Sequence, residues 1–208
     1  SQGAGFYHAY AADNDNFPTV VVTIGDSTFF HAGIPGLVNA VFTGARIIVV
    51  ILDNSTTAMT GNQPTPQVGY MADGSRGNPV LIPDLVKASG VTFLRECDPY
   101  ATEDFVAHLK EADQFCRSDE GGVAVIISKH PCIMDREATK KQAHYRVSVN
   151  EECTGCKVCI KKFECPALVF DEETEKVFID QNVCIGCGVC EAACSTGAII
   201  VEEMGGRK

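Results

Sequence analysis

The chain opens with runs of apolar residues that do not alternate with polar ones. Thr19 to Ile24 is β-branched and apolar, and Arg46-Ile47-Ile48-Val49-Val50-Ile51-Leu52 is apolar beyond its first residue. Strands that show no polar face are those buried on both sides, as in a parallel sheet covered by helices. Gly25-Asp26-Ser27 ends the first run and Asp53-Asn54 the second. Between them, Ile34 to Thr43 has helical spacing, with Pro35 in its first turn. This is a βαβ unit, right-handed by default. After a long loop from Ser55 to about Asn78, rich in proline and glycine, the pattern predicts a short helix over Pro83 to Ser89 and a strand over Val91 to Leu94. An amphipathic helix over Thr102 to Cys116, capped by Thr102, and a last strand over Val123 to Ser128 complete the series. The expected class is α/β with a mostly parallel sheet. A structureless loop of such length inside a domain is usually functional.

From residue 145 the pattern changes. Tyr145 to Val149 and Lys176 to Asp180 alternate like strands, and Val147 to Phe170 and Phe178 to Val201 form an internal repeat. Each copy passes through a cysteine-bearing loop and ends in a short apolar run, Ala167 to Phe170 and Ala198 to Val201. Two small hairpins are expected. His130 to Ala143, with Lys140-Lys141, is polar and basic. The expected division is residues 1–135, a linker over 136–144, and a small α+β domain over 145–208.

Eight of the 11 cysteines lie in that repeat. They read Cys153, Cys156, Cys159, Cys165, followed by proline, then Cys184, Cys187, Cys190, Cys194. The spacings are C-x2-C-x2-C-x5-C-P and C-x2-C-x2-C-x3-C. Three thiolates from a tight loop grip one side of an iron-sulfur cubane, and the fourth arrives from elsewhere in the chain. Gly155, Gly186 and Gly188 suit loops that need positive φ or close approach. Zinc and disulfides are the rival readings: zinc takes closed four-ligand sets, and disulfides need an oxidising compartment. So small a domain buries little core, so metal centres must supply much of its folding free energy, and the apo form is expected to lose this part first.

These runs resemble the two-cluster bacterial ferredoxins, in which the fourth cysteine of each run serves the other cluster. The resemblance implies one 4Fe-4S cluster on Cys153, Cys156, Cys159 and Cys194, and another on Cys184, Cys187, Cys190 and Cys165. The longer gap before Cys165 is expected to bulge at Lys161 to Glu164, and Ser195 stands where proline is common.

At 208 residues the chain fits one medium domain and one small one. It shows no apolar run of about eighteen residues and no signal-peptide pattern, so neither a membrane span nor secretion is expected, and free thiolate ligands imply a reducing cytoplasm. The net charge of −10 disfavours nucleic acid as a partner. The chain lacks an initiating Met and begins like the middle of an α/β domain, so a processed product or a fragment of a longer polypeptide is expected.

In open α/β sheets ligands bind at the carboxyl ends of the strands, where Asp26 and Asn54 stand. Gly-Asp and Asp-Asn are also ordinary turn dipeptides. Magnesium takes few protein oxygens and completes its shell with phosphate and water; the Asp26 carboxylate, the Asn54 amide oxygen and a loop carbonyl suit it. The N-terminus of the helix near Ile34 is expected to face the same place and favour an anion.

The spacing from Gly25-Asp26-Ser27 to Asp53-Asn54 resembles the thiamine diphosphate fingerprint. Ser27 replaces the usual glycine, and Asp53 replaces the first of two asparagines. With Thr60-Gly61-Asn62-Gln63, the pattern is similar to the 2-oxoacid:ferredoxin oxidoreductases. The pairing of this domain with a two-cluster module is similar to the C-terminal half of the large subunit in the indolepyruvate-oxidising branch. The resemblance implies an α/β thiamine diphosphate-binding domain followed by a ferredoxin-like domain. Magnesium would lie on Asp26, Asn54 and the Thr56 carbonyl, with Gly25, Ser27 and Gln63 near the cofactor.

It further implies oxidative decarboxylation of an aryl 2-oxoacid, with coenzyme A accepting the acyl group and an external ferredoxin accepting electrons. A second, small subunit is implied, together with a pyrimidine-binding domain, supplied by another chain or a missing N-terminal portion, which contributes the activating glutamate. His31 is the candidate catalytic donor, with helix capping as the alternative; His8 is a weaker substrate contact. Cys97, Cys116 and Cys132 read as small core residues. The competing functions are a plain electron carrier whose α/β domain only docks a partner, a non-redox thiamine decarboxylase, and the same enzyme class acting on pyruvate or branched-chain 2-oxoacids.

Overall fold

In a computed structural model the chain is described over residues 1–13, 17–135, 139 and 144–204. Lys140-Lys141 and most of the expected linker lie outside the described residues. Two compact units, Ser1–Asp135 and Arg136–Lys208, are present.

The first unit is built on a four-stranded parallel sheet: β1 (Val21–Gly25), β2 (Ile48–Asp53), β5 (Phe93–Cys97) and β6 (Ala124–Lys129), in the order β1-β2-β6-β5. Alternation along the two central strands sends side chains to two cores. Ile47, Val49, Ile51, Val125 and Ile127 face one core with Phe29, Leu37, Ile82 and Val86. Ile48, Val50, Ala124 and Ile126 face the other with Phe93, Ala112 and Cys116. Both faces are covered, which is why these runs carry no polar alternation. Each fully buried Ile or Val contributes roughly 1.5–3 kcal/mol.

Among the described residues, four helices supply the cover. Helix α1 (Gln2–Asp13) sets Ala4 and Tyr7 into the first core. Helix α2 starts directly at the end of β1 as Asp26–Thr28, passes through a π-helical segment, Phe29–Gly33, and continues as Ile34–Phe42. The expected start at Ile34 is therefore corrected: the helix begins at Asp26, and a wide π turn absorbs the Phe-Phe-His-Ala-Gly stretch that breaks the apolar period. Such bulges are frequent at functional sites. Helix α3 (Ile82–Ala88) joins the first core and α4 (Thr102–Arg117) the second. Thr102 is not the cap of α4. Ala101 holds that position without a side-chain bond, and Glu103 and Asp104 supply the favourable charge in the first turn. The fifth strand lies over Phe93–Cys97 rather than Val91 to Leu94, since Val91 packs into the first core ahead of it.

The second unit has strands β7 (Tyr145–Val149), β8 (Leu168–Asp171), β9 (Lys176–Ile179) and β10 (Ile199–Glu203). β8 and β9 form a hairpin, but β7 pairs antiparallel with β10, the far end of the repeat. Two consecutive hairpins are thus replaced by one hairpin and one terminal pair. The reason is packing: Val147, Ala167, Leu168, Val177, Ile179 and Ile199 must share one core with the cysteine loops. Gly155 and Gly186, repeat counterparts, both have positive φ. A Cβ on Gly155 would stand 2.1 Å from Glu175 O, and one on Gly186 would stand 2.3 Å from His144 Cε1, so both need glycine for conformation and for space.

Candidate functional site

The parallel register pairs Gly25 with Leu52, so Asp26 and Asp53 emerge side by side at the carboxyl edge of the sheet. Both carboxylates are buried, Asp26 with 3% and Asp53 with 2% of its surface exposed. They are stabilised differently. Asp53 Oδ1 accepts from Ser55 N–H at 2.9 Å, from the Ser55 hydroxyl at 3.2 Å and from the Gln67 amide. Asp26 Oδ1 accepts from Ser27 N–H at 2.7 Å, and its Oδ2 is buried without a hydrogen-bond partner. Burial pushes the Asp26 carboxyl from 3.8 up to about 6, and the neighbouring Asp53 charge pushes the same way. A buried carboxylate oxygen with no donor is costly unless a cation meets it.

The loop after β2 is folded tightly around these groups. Ser55 takes φ of +60°, a conformation a non-glycine residue holds only when over-determined, and the Asp53 bonds supply that. Asn54 Oδ1 accepts from Thr56 N–H at 3.1 Å, which leaves that oxygen a second lone pair. Two short strands, β3 (Thr56–Thr57) and β4 (Gln63–Pro64), pair Thr56 with Pro64 and Thr57 with Gln63. The Thr57 hydroxyl donates to Ser27 Oγ at 3.0 Å. Asp26, Ser27, Asn54 and Thr56 are therefore brought to one sheet edge, with the α2 N-terminus at Asp26 rather than at Ile34.

Other expected residues stand apart. Gln63 is exposed, and its amide is turned back to Thr60 O at 2.8 Å. His31 is exposed on the π segment of α2. His8 Nε2 lies 3.0 Å from the Thr43 hydroxyl, at the C-terminal end of α2 and far along that helix from Asp26. Cys116 is buried, and its thiol, pushed up to about 11 by burial, donates to Gly122 O. Cys97 and Cys132 are only half-buried.

The edge holds groups that no motif flagged. His130 N–H donates to Asp53 O at 3.0 Å, its Nδ1 lies 3.0 Å from the Asp98 carboxylate, and its ring meets Tyr100. Gln67 reaches Asp53 from within the loop. Position at a strand end was the available signal for Asp98 and His130; Gln67 had none.

All 11 cysteines are free of disulfides, and eight of them lie in the second unit. Cys165, Cys184, Cys187 and Cys190 line one cavity of about 310 Å³, walled also by Val147, Phe163 and Leu168. Burial, then the neighbouring Cys187, Cys165 and Cys184, pushes the Cys190 thiol up to about 11. Cys159 is raised by burial first, and Cys194 and Cys156 are the thiols beside it. Cys153 Sγ accepts from Val177 N–H at 3.4 Å. The residues between Cys159 and Cys165 form a π turn, Cys159–Phe163, closed by Glu164 at φ of +56°; the second run has a tighter 3-10 turn, Val189–Ala193. The wide turn accommodates the two extra residues. Among the described residues no three His, Cys, Asp or Glu side chains converge at the spacing of a single metal ion.

Residues 2–128 match the family of the thiamine pyrophosphate enzyme C-terminal TPP binding domain. The chain belongs to that family. Residues 146–195 match the 4Fe-4S dicluster domain. Among curated relatives, the indolepyruvate oxidoreductase subunit IorA of Archaeoglobus fulgidus is 44% identical over 182 residues, covering 86% of this chain and 28% of its own length. That of Methanothermobacter thermautotrophicus is 41% identical over 187 residues, 89% of this chain and 29% of its own. The chain thus spans little more than a quarter of these relatives. A solved 2-oxoglutarate:ferredoxin oxidoreductase from Magnetococcus marinus aligns over 62% of this chain and 44% of its own, with a TM-score of 0.50 and 19% identity, a likeness of fold. The α/β class with a parallel sheet, joined to a ferredoxin-like module, is the architecture of this chain. Among the described residues no helix is long and apolar enough to cross a membrane.

Proposed function

We propose that this chain is the cofactor-binding and electron-exit portion of a 2-oxoacid:ferredoxin oxidoreductase acting on an aryl 2-oxoacid of the indolepyruvate kind. Coenzyme A accepts the acyl group, and an external ferredoxin receives the electrons in a reducing cytoplasm. The observation that carries the reading is the unpartnered, buried Oδ2 of Asp26 at the end of β1, in the same chain as four cysteines lining one cavity.

The residues fit the two groups. Asp26 Oδ2, Asn54 Oδ1 and the Thr56 carbonyl are the oxygens that hold magnesium, which relieves the burial cost at Asp26. Gly25 and Ser27 line the diphosphate position at the start of α2, whose first-turn amides favour an anion. Cys165, Cys184, Cys187 and Cys190 hold one 4Fe-4S cluster in a cavity larger than a single ion requires. Cys153, Cys156, Cys159 and Cys194 hold the other.

When bound, thiamine diphosphate supplies the electron sink for the carbanion left by loss of CO2, and the clusters carry electrons singly. The protein's part is orientation and charge. Asp53 and Gln67 fix the loop that presents Asn54 and Thr56, and Thr57 clasps that loop to Ser27. Burial of the Asp26 and Asp53 carboxylates strengthens the electrostatic contacts they make. The activating glutamate comes from a pyrimidine-binding domain outside this chain, and a small subunit completes the assembly.

The test is turnover by the assembled enzyme with indolepyruvate, phenylpyruvate and pyruvate, each with and without a one-electron acceptor. The reading requires the aryl substrates to be preferred and turnover to stop when the acceptor is withheld. Decarboxylation that continues without acceptor assigns a non-redox thiamine enzyme, and a preference for pyruvate removes the aryl assignment.

A further inference from the structure

The two cysteine runs are copies of one another, and they differ in what approaches the sulfur atoms. The Thr196 hydroxyl lies 3.4 Å from Cys194 Sγ, and Val177 N–H points at Cys153 Sγ from 3.4 Å. A ligating sulfur is a thiolate with no proton to give, so in a cluster Thr196 is the donor. Both donors serve the set Cys153, Cys156, Cys159 and Cys194, and Cys156 is exposed to water. In the repeat, Cys194 is followed by Ser195-Thr196-Gly197 before Ala198, whereas Cys165 is followed by Pro166 alone before Ala167, the counterpart of Ala198, so Thr196 has no counterpart beside Cys165. Alanine has no hydroxyl, and proline has no N–H. The second set instead lines a cavity walled by Val147, Phe163, Ala167, Leu168 and Ile179.

Reduction adds negative charge to a cluster. Hydrogen bonds to its sulfurs and contact with solvent stabilise that charge and raise the potential, whereas an apolar surround lowers it. Resting on the cluster assignment proposed above, we infer that the cluster on Cys153, Cys156, Cys159 and Cys194 has the higher reduction potential, with Thr196 as its tuning residue. A module holding one electron keeps it there. The internal step is one electron from the Cys165, Cys184, Cys187, Cys190 cluster, which is oxidised, to its neighbour, which is reduced, with no proton moved.

The test is an EPR-monitored redox titration of the assembled enzyme, as wild type, Thr196→Ala and Thr196→Ser, with iron content measured on each. The wild type should show two couples. Thr196→Ala should lower the higher-potential couple and leave the other in place, and Thr196→Ser should restore the wild-type pattern because it keeps the hydroxyl. Equal wild-type potentials, an unmoved higher couple in Thr196→Ala, or a shift of the lower couple alone would overturn the inference. A wild-type chain with far fewer than about eight irons would sink the cluster assignment itself, a distinct failure.

Discussion

Thr57 in the short hairpin after β2 donates its hydroxyl hydrogen to Ser27 Oγ, 3.0 Å away in the first turn of α2. This bond joins two segments separated by the whole of α2 and β2, and it closes the loop bearing Asn54 and Thr56 onto the strand end bearing Asp26. One neutral hydrogen bond contributes about 1 kcal/mol. Thr57→Val is expected to weaken thiamine diphosphate binding about fivefold in isothermal calorimetry while leaving iron content unchanged. Unaltered affinity would show that the clasp does not order the site.

Asp26 gives a pH signature. Its carboxyl is raised in the folded chain from 3.8 to about 6, so the folded state holds a proton that the unfolded chain releases. The resulting contribution favours folding below about pH 4 and is lost as pH rises through about 6. Without magnesium, Asp26→Asn should stabilise the chain at pH 7 by up to roughly 3 kcal/mol, measured by denaturant midpoint, and should flatten the pH dependence between 4 and 6. Magnesium affinity of the wild type should fall as pH drops through about 6, because protonation removes the ligand charge.

Gly155 and Gly186 are the sharpest tests of the cluster loops. A Cβ at Gly155 would meet a backbone oxygen at 2.1 Å, in a residue with φ of +65°. Gly155→Ala should therefore cost the second unit its metal, read as a loss of iron and sulfide, while thiamine diphosphate binding by the first unit persists. An alanine variant with full iron content would show that the loop adopts another path.

The exchanged fourth ligands predict a crossed phenotype. Cys165→Ser should perturb the cluster held by the second run, and Cys194→Ser the cluster held by the first. The spectral changes would be read by EPR on each variant. Perturbation of the run that contains the substituted cysteine would assign each cluster to a single run.

Much of this organisation was legible in the chain, for identifiable reasons. The unbroken apolar run ending at Asp53 can only be a strand covered on both faces, and cysteine spacing is set by the geometry of what the thiolates hold. Asp26 and Asn54 were legible as strand-end polar groups, and their adjacency followed once Gly25 paired with Leu52. Helix α1 was not visible, because Gln2 to Asp13 has two glycines and no marked apolar stripe. The start of α2 was hidden because a π turn at Phe29–Gly33 breaks the helical period. The β7–β10 pairing is a contact between the ends of the repeat, which local alternation does not encode. Gln67 binds Asp53 through a loop conformation that no period describes.

The most direct measurement is the cofactor released from the assembled enzyme, by mass spectrometry with iron analysis on the same sample, for wild type and Asp26→Ala. Wild type should release thiamine diphosphate with magnesium and carry about eight irons per chain. Asp26→Ala should release no thiamine diphosphate and keep its iron. Undiminished thiamine diphosphate in Asp26→Ala, or none in the wild type, would contradict the account.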